Sequence, residues 1–494
     1  MSKLELFLHS LDGADQALVE GLSLTALAES GGESYTPPVT SSSHSEFEPG
    51  LDGDPNSLYD QLWAVITCRG DEGDRLLALV APLLDKRAED QEGEVAIYRV
   101  APDMDVTAAA RWLRVTFRGN NPLDEIPGYL LILGDFGQVS LALQQVLSTD
   151  PDLHVGRLGF SRDADYEAYV AKLLGLERQT PSGMARTLFF TARDGTTATE
   201  LGQRSLIGPC LADARSGFEA GKFPSDDIIA IRSRGEKARD ELLAAAADPR
   251  PTLLFSCSHG LGPPRDGWKS PEEQRAMQGA LYLAKNQFLS AEMVADRAFL
   301  PGGIWLFFAC FSAGTPAESP YAHWLRRLTE LDEYFGEVDT VLAALPPPGS
   351  LPFAAALPRA ALANPEGPVA IIGHMDLAWS YGFMAFEDLG DRARHSRFFS
   401  PLQTIVRGSR VGLAASALLR VREQAKVDSA IAVDRSERHE MSPDGSEQGL
   451  SPDDRVMLGH RWMLHQDIDG YILLGDPAAR LAIDPPARRR RRRG

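Results

Sequence analysis

Short apolar runs alternate with helix-like polar stretches through most of this chain, and that alternation predicts its architecture. The runs are rich in branched and aromatic residues, which favours strands buried on both faces of a sheet. Strands are predicted over 129–133, 155–159, 187–191, 228–231, 252–259, 303–310, 338–344 and 368–372, with helices over 140–147, 164–179, 197–214, 237–247 and 353–363. This order is typical of an α/β protein with a mostly parallel, doubly wound sheet.

The beginning of the chain has a different pattern. Residues 29–57 are rich in Ser, Gly, Pro and acidic side chains, which predicts a mobile linker. Two predicted strands, 64–68 and 95–100, flank a predicted helix over 74–84 and form a small α/β unit. The predicted organisation is an N-terminal region (1–120), a first α/β subdomain (121–215), a larger α/β domain (216–487) and a tail (488–494).

Composition narrows the class of protein. The chain has 494 residues, of which 44% are hydrophobic and 24% charged, so we expect an ordinary globular protein. A net charge of −19 disfavours nucleic-acid binding by the body of the protein. The four cysteines are too scattered for a disulfide framework, and we find neither a signal peptide nor a long apolar span. We therefore expect a cytoplasmic protein that does not enter a membrane.

Two of the apolar runs stop at reactive side chains. The run from Thr252 ends at His259 and Gly260, and the run from Gly303 ends at Cys310. Functional groups collect beyond the carboxyl ends of parallel strands, so these side chains are candidates for one site. His259 is predicted to act as acid and base, and Cys310 as a nucleophile whose thiol pKa is lowered by a nearby helix N-terminus. The backbone N–H groups of Gly260 and Cys310 are the predicted donors to an oxyanion.

Each of these signals has a plainer interpretation. A cysteine in an apolar strand usually belongs to the core, which suits Cys257 best. No Gly-x-Ser-x-Gly elbow is present, and His460 and His465 lack the His-Glu-x-x-His pattern, although a metal site there stays open. The six arginines at 488–493 could bind nucleic acid or anionic lipid, or form a solvated tail.

The two motifs together resemble those of a known group of enzymes. Ser258-His259-Gly260 with the run from Ala309 to Gly314 is similar to the His-Gly and Ala-Cys motifs of caspase-fold cysteine peptidases, above all the gingipain-like and CHAT-like bacterial proteins. The segments 129–135, 155–159, 367–379 and 471–481 extend the resemblance over about residues 125–484. It implies a three-layer α/β/α caspase-hemoglobinase-like domain over 216–487, preceded by a gingipain-like α/β subdomain and the small N-terminal α/β unit.

The resemblance also implies an activity. It implies a cysteine endopeptidase that uses a His259–Cys310 dyad and a thioester acyl-enzyme to cut a dedicated protein partner. Because the chain is acidic, a basic P1 residue is predicted, with Asp376 as the S1 carboxylate and Trp379 as a wall of the pocket. Asp376 could instead cap a helix, and Trp379 could belong to the core.

Other features of the predicted enzyme stay open. No cofactor is required, although activation by calcium or by a partner protein remains open. Self-cleavage would fall in 427–455, where Arg435 and Arg438 lie in a polar stretch. The competing hypothesis is a latent or inactive caspase-fold scaffold that acts in a bacterial regulatory or defence pathway.

Overall fold

The structure is a computed structural model that describes residues 4–11, 53–119, 125–264, 267–330, 338–345, 347, 349–387, 390–422 and 452–484. Most of the predicted linker 29–57, nearly all of the predicted self-cleavage segment 427–455 and the whole arginine tail lie outside the described residues. Among the described residues, no helix is both long and apolar enough to cross a bilayer.

A ten-stranded sheet forms the centre of the protein. Its strands are β2 (Trp63–Cys68), β3 (Ala96–Val100), β4 (Tyr129–Leu133), β5 (His154–Leu158), β6 (Ala185–Thr191), β7 (Ser225–Ile231), β8 (Thr252–Cys257), β12 (Ile304–Phe308), β15 (Ala370–His374) and β18 (Tyr471–Gly475). The strand order is β3-β2-β4-β5-β18-β15-β12-β8-β6-β7. The predicted α/β class with a mostly parallel sheet is confirmed.

The sheet consists of two parallel halves that run in opposite directions. All neighbouring strands are parallel except β18 and β15, which pair antiparallel from Ala370 opposite Gly475 to His374 opposite Tyr471. One half therefore contains β3, β2, β4, β5 and β18, and the other contains β15, β12, β8, β6 and β7. The strand β6, which lies in the predicted first subdomain, pairs with β8 and β7 of the second half.

The shorter strands lie around this sheet. The strands β1 (Leu8–Ser10), β9 (Gly260–Gly262), β10 (Leu281–Ala284) and β11 (Gln287–Leu289) form a four-stranded sheet in that order. Two hairpins are formed by β13 (Gly314–Thr315) with β14 (Phe353–Ala354) and by β16 (Met384–Glu387) with β17 (Gly390–Ala393). The first of these small sheets brings the N-terminal segment against the residues that follow β8.

Helices connect the strands and surround the sheet. The α-helices span Leu58–Gln61, Asp71–Leu79, Ala81–Asp90, Val106–Trp112, Leu141–Leu147, Asp163–Glu177, Thr197–Gly202, Gly208–Glu219, Gly235–Ala246, Pro271–Met277, Glu292–Ala295, Tyr321–Glu330, Val338–Ala344, Ala356–Ala363, Ser396–Val406 and Pro452–Asp469. Two π-helical segments span Leu113–Arg118 and Gln203–Ile207, and a short 3-10 helix spans Ser380–Gly382.

One predicted strand is wrong, since Val338–Ala344 is a helix. A short apolar run does not by itself distinguish a buried strand from a buried helix. Here Val341 and Leu345, four residues apart, are both buried, as on one face of a helix. Because β8 and β15 pair with the two edges of β12, residues 338–344 cannot pair with β12 as a further strand of the sheet.

A buried ion pair joins β18 to the first half of the protein. Arg87 is completely buried, and its guanidinium donates to Asp476 at 2.7 Å and to Glu177 at 2.7 Å. The second oxygen of Asp476 accepts from the indole N–H of Trp63 at 3.0 Å. Asp476 directly follows β18, so these bonds fix that strand against Arg87 and Trp63, which are 389 and 413 residues earlier in the chain.

Candidate active site

Four neighbouring strands deliver the residues of the candidate site. His259 follows β8 and Cys310 follows β12, while Asp194 follows β6 and Ala378 follows β15. These strands are adjacent and parallel in the order β15-β12-β8-β6, so their carboxyl ends meet at one edge of the sheet. The structure therefore brings together the regions of His259 and Cys310, at the edge where open α/β sheets carry their sites.

Two backbone N–H groups converge on a single carbonyl oxygen. The N–H groups of Gly260 and Cys310 donate to the carbonyl oxygen of Phe7 at 2.8 and 3.2 Å. These are the two donors that the sequence predicts for an oxyanion hole. Such a pair of fixed dipoles stabilises the negative oxygen that forms when a nucleophile attacks a carbonyl carbon.

The hydrogen bonds of His259 select one tautomer. Its Nε2 lies 2.8 Å from the hydroxyl of Thr196, which itself lies 2.8 Å from Oδ1 of Asp194. With the hydroxyl proton of Thr196 donated to the carboxylate, the Thr196 oxygen accepts from an Nε2–H of His259. Nδ1 then carries the lone pair, and it is buried without a hydrogen-bond partner among the described residues. The imidazole is thus arranged to accept a proton through Nδ1.

Asp194 completes the support of the imidazole. Its Oδ1 accepts from the hydroxyl of Thr199 at 2.6 Å and from the backbone N–H of Thr196 at 3.0 Å, and its Oδ2 lies 3.6 Å from Nε2 of His259. Burial acts to raise the pKa of Asp194, but the charge of His259 and these hydrogen bonds lower that pKa below its usual range. Burial lowers the pKa of His259 to about 4, while Asp194 acts in the opposite direction.

Cys310 lies under the N-terminal segment and is completely buried. Burial raises the pKa of its thiol well above the usual range, and its Sγ accepts from the N–H of Ala378 at 3.1 Å. The prediction that a helix N-terminus lowers this pKa is wrong, because Cys310 leads into a turn and the next helix is Tyr321–Glu330. Phe311, directly after the thiol, has a φ of 55°, a strained value for such a side chain.

Asp376 lies in the loop that supports Cys310. Its carbonyl oxygen accepts from the N–H of Phe311 at 2.9 Å, and its carboxyl group accepts from the N–H of Leu377 at 2.7 Å. Burial raises the pKa of Asp376 to about 7. A carboxyl group that is partly protonated near neutral pH and already hydrogen-bonded is a weak partner for a basic side chain.

The indole of Trp379 packs between Tyr321 and Trp324, with ring centroids 5.8 and 5.6 Å away. Its backbone forms an antiparallel bridge with Leu6, so Trp379 borders the cleft through its main chain. The roles that the sequence analysis assigned to Asp376 and Trp379 in S1 stay predictions.

Sequence reasoning missed two parts of the site. Asp194 and Thr196 follow a predicted strand, so the rule that led to His259 and Cys310 could have found them, but polar residues after a strand are common. For the N-terminal segment that ends at Ser10, the sequence predicts only that it is not a signal peptide. Its alternating apolar residues are the one sign of a strand there.

Metal binding has no support in the described part of the chain. Among the described residues, no three His, Cys, Asp or Glu side chains are grouped as a metal site would need. The groups that the structure brings together at this edge of the sheet include a thiol, an imidazole and backbone N–H dipoles.

Gly260 leaves no room for a side chain, which gives a direct test of the site. A Cβ atom at this position would lie 1.8 Å from the carbonyl oxygen of Cys310. We expect Gly260→Ala to displace the oxyanion donors and to slow labelling of Cys310 by a peptidyl ketone about a hundredfold. The matched control is Gly175→Ala, because nothing lies within 4 Å of a Cβ there. Equal labelling rates in Gly260→Ala and wild type would contradict the proposed role of Gly260.

The fold and the site together define an α/β protein with a thiol and an imidazole at the carboxyl edge of its sheet. No family model and no curated protein matches the chain. Among solved structures, it is similar to the arginine-specific cysteine proteinase gingipain R (12% identity, TM-score 0.45, covering 88% of this chain and 80% of that chain). It is also similar to the complex of the pro- and mature domains of RgpB from Porphyromonas gingivalis (11%, TM-score 0.45, 85% and 79%) and to a structure described only as a protease (10%, TM-score 0.47, 87% and 79%).

Proposed function

We propose that the protein is a cysteine endopeptidase in which Cys310 is the nucleophile and His259 the general base and acid. The observation that carries the proposal is the convergence of the Gly260 and Cys310 N–H groups on one peptide carbonyl oxygen. A peptide bound with its carbonyl there has its reacting carbon next to the residue that bears the thiol. The proposal therefore rests on the geometry of this chain.

The proposed reaction has two halves. Cys310 Sγ attacks the carbonyl carbon as its proton passes to Nδ1 of His259, and the negative oxygen is held by the N–H groups of Gly260 and Cys310. His259 returns the proton to the leaving amine, so that the C–N bond breaks and a thioester remains. Water, deprotonated by His259, then hydrolyses the thioester and regenerates the thiol. No cofactor takes part.

The high pKa of the Cys310 thiol suits this order of events. A buried thiol does not persist as a thiolate, so the proton must leave during the attack. The Nδ1 lone pair of His259 provides the acceptor. The same burial also favours the latent form over the inactive scaffold, because the thiol and its base are intact and only covered.

The substrate is proposed to be a protein partner. The sequence predicts a basic P1 residue from the acidic character of the chain and names Asp376 as a candidate S1 carboxylate, a role to which the surroundings of Asp376 give little support. Calcium and an activating partner remain proposals that an assay with and without each would decide.

The deciding experiment is covalent labelling of the purified chain by peptidyl acyloxymethyl ketones, located by peptide mass spectrometry. Labelling at Cys310 that is lost in Cys310→Ala and strongly reduced in His259→Ala is the expected result. The matched control is Cys257→Ala, which removes a buried thiol two residues before His259. Labelling that persists in Cys310→Ala would reject Cys310 as the nucleophile.

A further inference from the structure

The N-terminal segment Leu4–Ser10 crosses the candidate site as an extended peptide. Leu8–Ser10 pairs in parallel with Gly260–Gly262, and Leu6 forms an antiparallel bridge with Trp379. The segment therefore lies between the residues that follow β8 and those that follow β15. It passes directly over Cys310.

The backbone of the segment uses the donors and acceptors that a substrate would need. The carbonyl oxygen of Phe7 occupies the place of the oxyanion, and the N–H of Phe7 donates to the carbonyl of Ala378 at 3.0 Å. Two residues earlier, Glu5 accepts from the N–H of Ser380 at 3.0 Å and donates to the Ser380 hydroxyl at 3.1 Å. Main-chain pairing of this kind is the usual way in which extended peptides are bound.

The side chain of Phe7 occupies an apolar pocket. Its ring packs edge-on against Phe308 with centroids 4.8 Å apart, and it lies 6.0 Å from the ring of Phe383 and 5.9 Å from His259. A Cβ atom at Gly202 would lie 3.3 Å from the Phe7 ring, so the absence of a side chain there contributes to the space. Phe7 is completely buried in this pocket.

We propose that Leu4–Ser10 is a built-in occupant of the site, bound as a substrate with Phe7 at P1, and that the site takes extended peptides with a large apolar P1 residue. This inference rests on the proposed function, because P1 is the residue whose carbonyl carbon Cys310 would attack. The rings of Phe308 and Phe383 offer no carboxylate to a guanidinium, so the part of the pocket that they form favours an apolar side chain over an arginine. The segment must leave before another peptide can bind.

The bound segment also accounts for the raised pKa of the Cys310 thiol. Cys310 and His259 are both buried beneath it, and burial is the largest influence on the pKa of each. Displacing the segment would readmit water, which would move the thiol pKa downward and the imidazole pKa upward. His9 of the segment packs on Tyr282 at 3.9 Å and meets His259 edge-on at 5.5 Å, so both sides of Phe7 contribute to the cover.

The test compares full-length wild type with Phe7→Ala, using Phe218→Ala as the matched control because the Phe218 side chain is 49% exposed. The first readout is the rate at which iodoacetamide alkylates Cys310, measured by peptide mass spectrometry, since this rate requires no catalysis. We expect Phe7→Ala to raise it at least about tenfold, because a truncated phenylalanine loses most of its docking contacts. Phe218→Ala is expected to match wild type. A synthetic Leu-Glu-Leu-Phe-Leu-His-Ser peptide should restore protection.

The second readout identifies the P1 preference. In Phe7→Ala, we expect a ketone probe with phenylalanine at P1 to label Cys310 at least about tenfold faster than the arginine probe. If Cys310 in Phe7→Ala is alkylated at the wild-type rate, the proposal that Leu4–Ser10 occupies the site is wrong. If the arginine probe labels Cys310 faster than the phenylalanine probe, the proposed preference for an apolar P1 residue is wrong. Raised alkylation without labelling by either probe would support the occupant while rejecting the peptidase function.

The fold of the variant is monitored by the buried thiols Cys68 and Cys210, which should keep their wild-type alkylation rates. If Phe7→Ala exposes Cys210, Phe7→Lys repeats the comparison, because a charged side chain is disfavoured in the apolar pocket and reaches solvent when the segment leaves. Faster alkylation confined to Cys310 in Phe7→Lys supports the proposal, and a wild-type rate there overturns it.

Discussion

Asp194→Asn is expected to lower the rate of Cys310 labelling by a peptidyl ketone by about two to four orders of magnitude. Asp194 keeps the hydroxyl of Thr196 oriented as an acceptor for His259 and thereby keeps the Nδ1 lone pair free. An asparagine amide can donate to Thr196, which removes the reason for that tautomer. Because Asp194 raises the pKa of His259, the acidic limb of the labelling profile that belongs to His259 should also move to lower pH.

The chain offers a matched control for this variant. Asp213 accepts from Nε2 of His395 at 2.8 Å in a pair that is partly exposed to solvent and that includes none of the proposed catalytic residues. Asp213→Asn should leave the labelling rate and its pH profile unchanged. If Asp194→Asn also labels at the wild-type rate with an unshifted profile, the Thr196–Asp194 arrangement has no part in positioning His259.

Asp476→Ala should reduce the free energy of unfolding by about 3–5 kcal/mol. It would leave the fully buried guanidinium of Arg87 without its buried counter-charge and remove the acceptor of the Trp63 indole N–H. Burial acts to lower the pKa of Arg87, but Asp476 and Glu177 together raise it above its usual range, so the arginine is charged in the folded protein and Asp476→Ala removes part of what compensates for its burial. The measurement is equilibrium unfolding in guanidinium chloride.

Two further variants separate the causes of that loss. Asp163→Ala removes a partner of Arg75 in an exposed ion pair and should barely change the unfolding midpoint. The double variant Arg87→Met with Asp476→Leu removes both charges and should recover most of the lost stability. If Asp476→Ala unfolds at the wild-type midpoint, the attachment of β18 to the first half of the protein does not depend on this pair.

The predicted strands of the sheet could be located because their sequences are apolar on both faces. The runs that became β8 and β12 end within two residues of His259 and Cys310, so the position of both candidate residues follows from strand length alone. The resemblance to caspase-fold peptidases added the expectation that this pair cleaves peptide bonds. What the pattern could not provide was the direction of β18, since an apolar strand has the same composition whether it pairs parallel or antiparallel.

The parts of the site that were missed depend on distant contacts. The segment ending at Ser10 forms only a three-residue strand, and its partner Gly260 is about 250 residues away. Nothing local in Leu-Phe-Leu indicates that the carbonyl of Phe7 faces two N–H donors. The helix at Val338–Ala344 was mistaken for a strand because its apolar residues are too few to establish a period. The pKa of Cys310 was predicted in the wrong direction because burial, rather than a helix dipole, dominates its surroundings.

Because of the position of β18, the central sheet can be completed only late in the synthesis of the protein. The strands β5 and β15 do not pair with each other, since β18 lies between them. Until Tyr471–Gly475 has left the ribosome, each of these strands keeps one unpaired edge, and the growing chain holds two incomplete sheets. The segment that covers Cys310 emerges before the strands that it crosses, and β18, which joins the two sheets, emerges after all the strands with which it pairs. A nascent chain therefore carries its own cover long before the thiol beneath it belongs to a finished fold.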